Sequence, residues 1–308
     1  MSTLILFTKD LLHRARRPNS DGTLILHWAS RSSIVASSLY SLKQVSEAQE
    51  ILKPDDSESS FLLLRANLEV DDGSQVQVLD AVLKVIIVSD VDDEIRLTFE
   101  RDAYETHGDS LSGFIPEYYG LFETTDKYAR VLCLVTKYSG EPMIRSMGQA
   151  EQQLNWKVIA KVAKLHALGF RHGRLVPRNI LHNDATDDVR FIDLRSLKPH
   201  KCERHLRIKA GCLSPDKFYF GCDELYELVW SAKIWKSHYV KFLGVYSVLM
   251  PVASVEEVLF AVPSFYLEDE KQRKFYQSEA ELFLREVAQI KPEHSPLLAE
   301  CSASEDVV

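Results

Sequence analysis

The sequence predicts an α+β fold, and three observations carry that prediction. Short strand-like runs crowd the stretch from Phe61 to Lys137, one well-patterned helix lies between Gln149 and Leu168, and strands give way to helical spacing toward the C-terminus. Strands and helices segregated into runs, with no strict alternation, are the order of an α+β protein. At 308 residues, 45% apolar and 27% charged, the chain has the composition of a globular protein with a sizeable core.

Taken in order, the first 57 residues mix apolar runs (Thr23 to Trp28, Ile34 to Leu42) with a turn signal at Asn19-Ser-Asp-Gly, and a polar stretch follows at Ser46–Ser60. They read as an N-terminal extension whose place in or outside the sheet is open. Phe61-Leu-Leu-Leu-Arg-Ala-Asn-Leu, Gln75-Val-Gln-Val-Leu and Ala81-Val-Leu-Lys-Val-Ile-Ile-Val read as strands, with Asp71-Asp-Gly-Ser as a tight turn. Gly73 stands so close before Lys84 that a short strand pair is expected. At Ser89-Asp90 the pattern breaks and acidic residues gather as in a helix's first turn. Ile95, Phe99 and Ala103 then follow at helical spacing. A second strand pair has Gly120-Leu-Phe at one end and Tyr128 to Lys137 at the other. The clearest helix puts Ile159, Val162, Ala163 and His166 on one face, with Gly169 placed to cap it.

Composition excludes several classes. A net charge of -8 counts against general nucleic-acid binding, and the basic clusters at 13–17 and 198–209 read as solvated faces. The five cysteines are odd in number and thinly spread, and no two stand at the two- to four-residue spacing of a zinc site. The apolar start, Met1 to Phe7, lacks a basic leader, and the longest apolar run, Phe242 to Val255, contains Pro251 and is too short to span a bilayer. A reducing cytoplasmic or nuclear setting, without membrane or nucleic-acid partners, is the expectation.

The chemistry is concentrated in one stretch. His172-Gly-Arg-Leu-Val-Pro-Arg-Asn-Ile-Leu is followed, past a short loop, by the apolar strand Val189-Arg-Phe-Ile-Asp193-Leu. This resembles the catalytic loop of protein kinases and the strand that presents their metal-binding aspartate. The resemblance implies a bilobal fold, with an antiparallel-sheet N-lobe and a short, mainly helical C-lobe. It implies Asn179 and Asp193 as magnesium ligands, Lys84 as the lysine that neutralises the ATP phosphates, and Glu100 as its carboxylate partner. It also implies that Cys133-Leu-Val-Thr-Lys-Tyr-Ser-Gly-Glu-Pro-Met143 is the hinge, so that Lys137 and Tyr138 flank the adenine. ATP and Mg²⁺ are the cofactors so implied. A narrower resemblance, to small fungal kinase-like proteins, rests on Ile115-Pro-Glu-Tyr-Tyr-Gly, on Asp193-Leu-Arg-Ser-Leu-Lys-Pro-His200-Lys-Cys202 and on Glu224-Leu-Tyr-Glu-Leu…Ile234-Trp235. It covers roughly Phe61 to Trp235.

Three departures stand against an efficient enzyme. Arg174 occupies the catalytic aspartate's position, and a guanidinium stays protonated and accepts no proton. Loss of a general base costs roughly 10² to 10⁴ in rate. The Asp-Phe-Gly signature becomes Asp193-Leu-Arg195, and the Gly-rich loop is reduced to Gly73. His172 reads as a packed structural histidine and Cys202 as a small buried hydrophobe.

The expected organisation is an N-terminal extension (1–57), an N-lobe (58–138), a C-lobe (139–236) and a helical C-terminal extension with a disordered end (237–308). In the last, Tyr276, Ala280, Phe283, Leu284 and Val287 share a helical face, which either packs on its own domain or receives a protein partner. Three functions follow: a pseudokinase with reduced or absent nucleotide binding, an active but atypical phosphotransferase acting on a protein or small-molecule hydroxyl, and a non-catalytic interaction scaffold.

Overall fold

The computed structural model describes residues 3–7, 23–28, 41–52, 61–71, 76–88, 91–123, 130–288 and 290. The turn at Gly73, the turn signal at Asn19, the basic cluster at 13–17 and the end predicted to be disordered lie outside them. The chain divides into two compact units, one of Met1–Met143 with His172–Lys198, the other of Ile144–Arg171 with Pro199–Val308.

The first unit is built on a seven-stranded sheet of order β1-β2-β6-β7-β5-β4-β3. Its strands are β1 (Thr3–Phe7), β2 (Thr23–Trp28), β3 (Ser41–Leu52), β4 (Phe61–Asp71), β5 (Val76–Ile87), β6 (Tyr118–Glu123) and β7 (Val131–Lys137). Every pairing in it is antiparallel. The question left open for residues 1–57 is thereby answered for their described parts: three strands from that stretch belong to the sheet, and the polar run after Ser46 begins inside β3. The expected short pair is instead long. β4 and β5 stay in register from Phe61 opposite Ile86 to Asp71 opposite Val76.

Two-residue periodicity decides what this sheet buries. Leu62, Leu64, Ala66 and Leu68 of β4 point into one core with Ala81, Leu83 and Val85 of β5 and Cys133 and Val135 of β7. A fully buried leucine such as Leu83 contributes about 1.5–3 kcal/mol relative to an exposed one. Lys84, one residue on, is turned to the other face of the sheet.

Helix α1 (Val91–His107) begins with Asp92, Asp93 and Glu94, where carboxylates complement the helix dipole. Its buried residues are Asp93, Leu97, Glu100 and Tyr104. The periodic residues that predicted the helix, Ile95 and Phe99, lie on its exposed side, 43% and 57% accessible. The helix is therefore where the sequence put it, but its inward face is the one that carries Glu100.

A three-stranded sheet completes this unit: β8 (Glu141–Pro142), β9 (Ile180–Asn183) and β10 (Asp188–Phe191), ordered β10-β9-β8. The sequence boundary at 138/139 divides the unit differently. The loop and hairpin at 172–198 pack with the first unit because β9 pairs with β8, Phe191 donates its N–H to the Phe114 carbonyl, and Asp193 donates to Glu100.

In the second unit, α2 (Gln152–Ala167) buries Val158, Ile159, Val162, Leu165 and His166, and Gly169 follows it at φ +86°. Helix α3 (Asp223–Ser231) buries Leu225, Leu228 and Val229. The C-terminal segment opens as a hairpin, β11 (Tyr239–Phe242) with β12 (Tyr246–Leu249), and ends in α4 (Glu270–Val287). Phe242, Val248, Met250, Val258, Ala280, Phe283 and Val287 close a core that also takes Leu213, so it spans the expected boundary at 236/237. The predicted apolar face of α4 is spent on that core. Among the described residues, no helix is long and apolar enough to cross a membrane.

Candidate functional site

The loop at 172–179 is set by backbone requirements. His172 is fully buried; its Nε2 donates to the Ile192 carbonyl at 2.9 Å, and its Nδ1 accepts from Arg174 N at 3.2 Å. One ring nitrogen donating and the other accepting is the neutral imidazole, so His172 is the structural histidine expected. Gly173 sits at φ +77°, and a Cβ there would lie 2.6 Å from the Ser196 carbonyl oxygen. Glycine is thus required at this position on two grounds, conformation and close approach. A short 3₁₀ turn, Pro177–Asn179, then brings Asn179 back toward the loop.

All four central residues meet in the first unit. Lys84 Nζ donates to Glu100 Oε2 at 2.6 Å, with side chains 19% and 5% exposed. The other oxygen of Glu100 accepts the Asp193 N–H at 3.1 Å. One carboxylate therefore ties the strand lysine to the backbone of the predicted metal ligand. Asp193 itself is held at φ 64°, ψ 58°, a left-handed conformation that short polar residues tolerate. Asn179 Nδ2 donates to the Arg174 carbonyl at 3.0 Å and to Asp193 Oδ2 at 3.3 Å. The carbonyl contact fixes which end of the amide faces Asp193: it is the donor end.

Arg174 and Arg195 complete the site. Arg174 Nη1 stands 3.6 Å from Asp193 Oδ2, and Arg195 Nε stands 3.0 Å from Oδ1. The second contact is an ion pair not aligned as a hydrogen bond, so Oδ1 is buried without a directed donor. The sequence marked Arg195 only as a lost glycine and a gained charge; its pairing with Asp193 was the residue role missed. Nearby, burial holds the Tyr104 phenol well above its usual range, and the Glu100 and Asp193 charges add to it.

This donor set does not fit the magnesium ion that the kinase resemblance implies. A dication at Asp193 would have to share the carboxylate with the Arg174 and Arg195 guanidinium groups, and the Asn179 amide presents its nitrogen to Asp193 Oδ2. At ~4 Å and an effective dielectric of ~20, each pair of unit charges is worth about 4 kcal/mol, which here opposes the ion. The expected adenine contacts are also engaged. The Lys137 N–H donates to the Glu117 carbonyl and the Tyr138 N–H to that of Asp80, while the Tyr138 ring lies 3.5 Å under the Arg65 guanidinium. Asp184, Asp187 and Asp188 lie at the β9–β10 turn, where Asp184 and Asp187 flank His182 at 3.0 and 3.1 Å.

No protein-family model matches the chain, and no curated protein does. Among solved structures, it is similar to vaccinia related kinase 3, at a TM-score of 0.36 and 13% identity over 82% of this chain and 90% of that one. It is also similar to a Stt7 homolog from Micromonas algae, at a TM-score of 0.38 and 18% identity over 59% of this chain and 56% of that one. Likenesses of this size carry no argument about activity. The kinase-like α+β fold is legible in the chain itself, in the strand lysine, the helix glutamate and the His172–Asn179 loop that leads into Asp193.

Proposed function

We propose that the protein is a pseudokinase: a kinase-like binding module in which internal cations replace the catalytic metal, and which takes ATP weakly and without magnesium. The observation that carries this reading is the pairing of Asp193 with Arg174 and Arg195. The group that should recruit a dication is already neutralised, and the position that should accept a proton holds a guanidinium. The intact Lys84–Glu100 pair supports the nucleotide part, because a lysine so oriented is a phosphate partner. With the Lys137 and Tyr138 amides engaged, the phosphates supply most of the affinity.

One observation favours the second reading, an active phosphotransferase. Asp193 Oδ1 is buried without an aligned donor, and a metal would satisfy it if Arg195 withdrew. A thermal-shift titration with ATP, with and without magnesium, separates the readings. Saturation to about a hundred times the dissociation constant stabilises a fold by about 2.7 kcal/mol. The pseudokinase reading expects a shift indifferent to magnesium and lost in Lys84→Ala. A shift that requires magnesium and vanishes in Asp193→Ala would overturn the metal-free reading, establish a working metal–nucleotide site and make a search for transfer activity worthwhile. No shift at all would remove the nucleotide and leave a scaffold.

A further inference from the structure

Within the second unit, two imidazoles and two thiols converge from three separate segments. His166 lies in the last turn of α2, His200 and Cys202 lie two residues apart on the chain that follows Pro199, and Cys222 is the N-cap of α3. Their ligand atoms all lie within 4.8 Å of one another. Cys222 Sγ is 3.4 Å from His166 Nδ1 and 3.8 Å from His200 Nε2. A tetrahedral zinc ion, with Zn–S about 2.3 Å and Zn–N about 2.0–2.1 Å, sets neighbouring sulfur and nitrogen ligands roughly 3.5 Å apart. The two measured separations bracket that value.

The surroundings match as well. His166 and Cys222 are buried, 3% and 4% exposed, and His200 and Cys202 are half-buried. The second nitrogen of His166, Nε2, meets Glu224 Oε2 at 2.7 Å. A carboxylate on the far nitrogen of an imidazole is the usual outer partner of a zinc-bound histidine, where it fixes the tautomer and turns the other nitrogen toward the metal. Hydrogen bonding alone accounts for single contacts such as Cys222 with His166; the gathering of two imidazoles and two thiols within 4.8 Å, with a carboxylate on the far nitrogen of one of them, is the composition of a closed zinc site.

We propose that His166 Nδ1, His200 Nε2, Cys202 and Cys222 hold a structural zinc ion, with Glu224 orienting His166. On binding, each thiol releases its proton to solvent, so two thiolates balance the dication. Four protein ligands leave no open position, which makes the site structural and not catalytic. It clips the end of α2, the segment after Pro199 and the start of α3. The site is independent of Asp193 and of any nucleotide. Cysteine spacing alone missed the site, since the pairing that matters locally is His200-x-Cys202 and the other two ligands come from distant positions.

The test is the metal content of the full chain, purified without added metal, followed by exchange into cobalt. The proposal expects about one zinc per chain, released by a thiol-blocking mercurial. The cobalt form should show intense tetrahedral d–d absorption and a thiolate charge-transfer band. Glu224→Gln should keep that spectrum and weaken affinity about 10- to 100-fold, whereas Cys202→Ser and Cys222→Ser should lose the charge-transfer band. If the serine variants fail to fold, the unaltered chain's cobalt spectrum and Glu224→Gln decide the matter. The proposal is overturned by a chain with both thiols free that takes up neither metal, by a Cys202–Cys222 disulfide in the freshly isolated protein, or by zinc that persists when both cysteines are replaced.

Discussion

The guanidinium of Arg174 stands 3.6 Å from the carboxylate of Asp193, so the residue at the proton acceptor's position is a counter-ion for the residue at the metal ligand's position. Arg195 meets the same carboxylate from its other oxygen, at 3.0 Å. Removing one cation leaves the other, and magnesium should remain excluded. We therefore expect Arg174→Asp alone and Arg195→Gly alone to bind magnesium–ATP little better than the unaltered chain. The double variant should gain a magnesium-dependent component, read by isothermal titration with and without the ion. Full recovery in Arg174→Asp alone would show that Arg195 does not guard the site.

Glu100 uses both carboxylate oxygens, one on Lys84 Nζ and one on the Asp193 N–H. Breaking a buried pair from one side costs about 3–5 kcal/mol, because the remaining charge loses its partner in a poor solvent. Glu100→Ala should fall in that range by urea unfolding. Glu100→Gln keeps an acceptor for the Asp193 N–H and should lose distinctly less. Equal losses in the two variants would mean that the Asp193 contact contributes nothing.

Gly173 makes a third case, this time of backbone and not charge. Its φ of +77° is unfavourable for any side chain, and a Cβ would sit 2.6 Å from the Ser196 oxygen. Gly173→Ala combines a strained conformation, of order 1–3 kcal/mol, with a clash against backbone that cannot swing away. We expect a loss at or above the top of that range in equilibrium unfolding. Gly211, which has a similar φ of +76° but open space around a Cβ, is the control: Gly211→Ala should show the conformational cost alone.

These cases mark what was legible in the sequence. The apolar runs of β4 and β5 announced the strands; which face each side chain takes, Lys84 included, follows from the two-residue period once the strands are in place. The stretch from His172 through Asn179 to Asp193 was legible only through its resemblance to the kinase catalytic loop and the strand that follows it, not through any local period. The inward face of α1 is not readable from its period: Ile95 and Phe99 keep helical spacing yet lie outward, while Glu100 is buried against a lysine sixteen residues earlier in the chain, the partner that the kinase resemblance implied. The pairing of Arg195 with Asp193 and the convergence of His166 with Cys222 were hidden too. Both depend on how distant turns bring side chains together, which no local pattern encodes.

The C-terminal helix gives the last prediction. Phe283 is 6% exposed and packs edge-on against Phe242 with ring centroids 5.4 Å apart, inside a core that also holds Leu213. Truncating a buried phenylalanine costs about 3–5 kcal/mol, from lost transfer energy and the cavity left behind. Phe275, on the same helix, is 54% exposed. Phe283→Ala should thus destabilise the protein by several kcal/mol in denaturant unfolding, while Phe275→Ala should stay within about 0.5 kcal/mol, as surface substitutions do. A detachable partner-binding arm would behave otherwise: neither substitution would move the main transition. If Phe283→Ala leaves that transition unchanged, the helix is not part of the second unit's core, and its apolar face is again available for a partner.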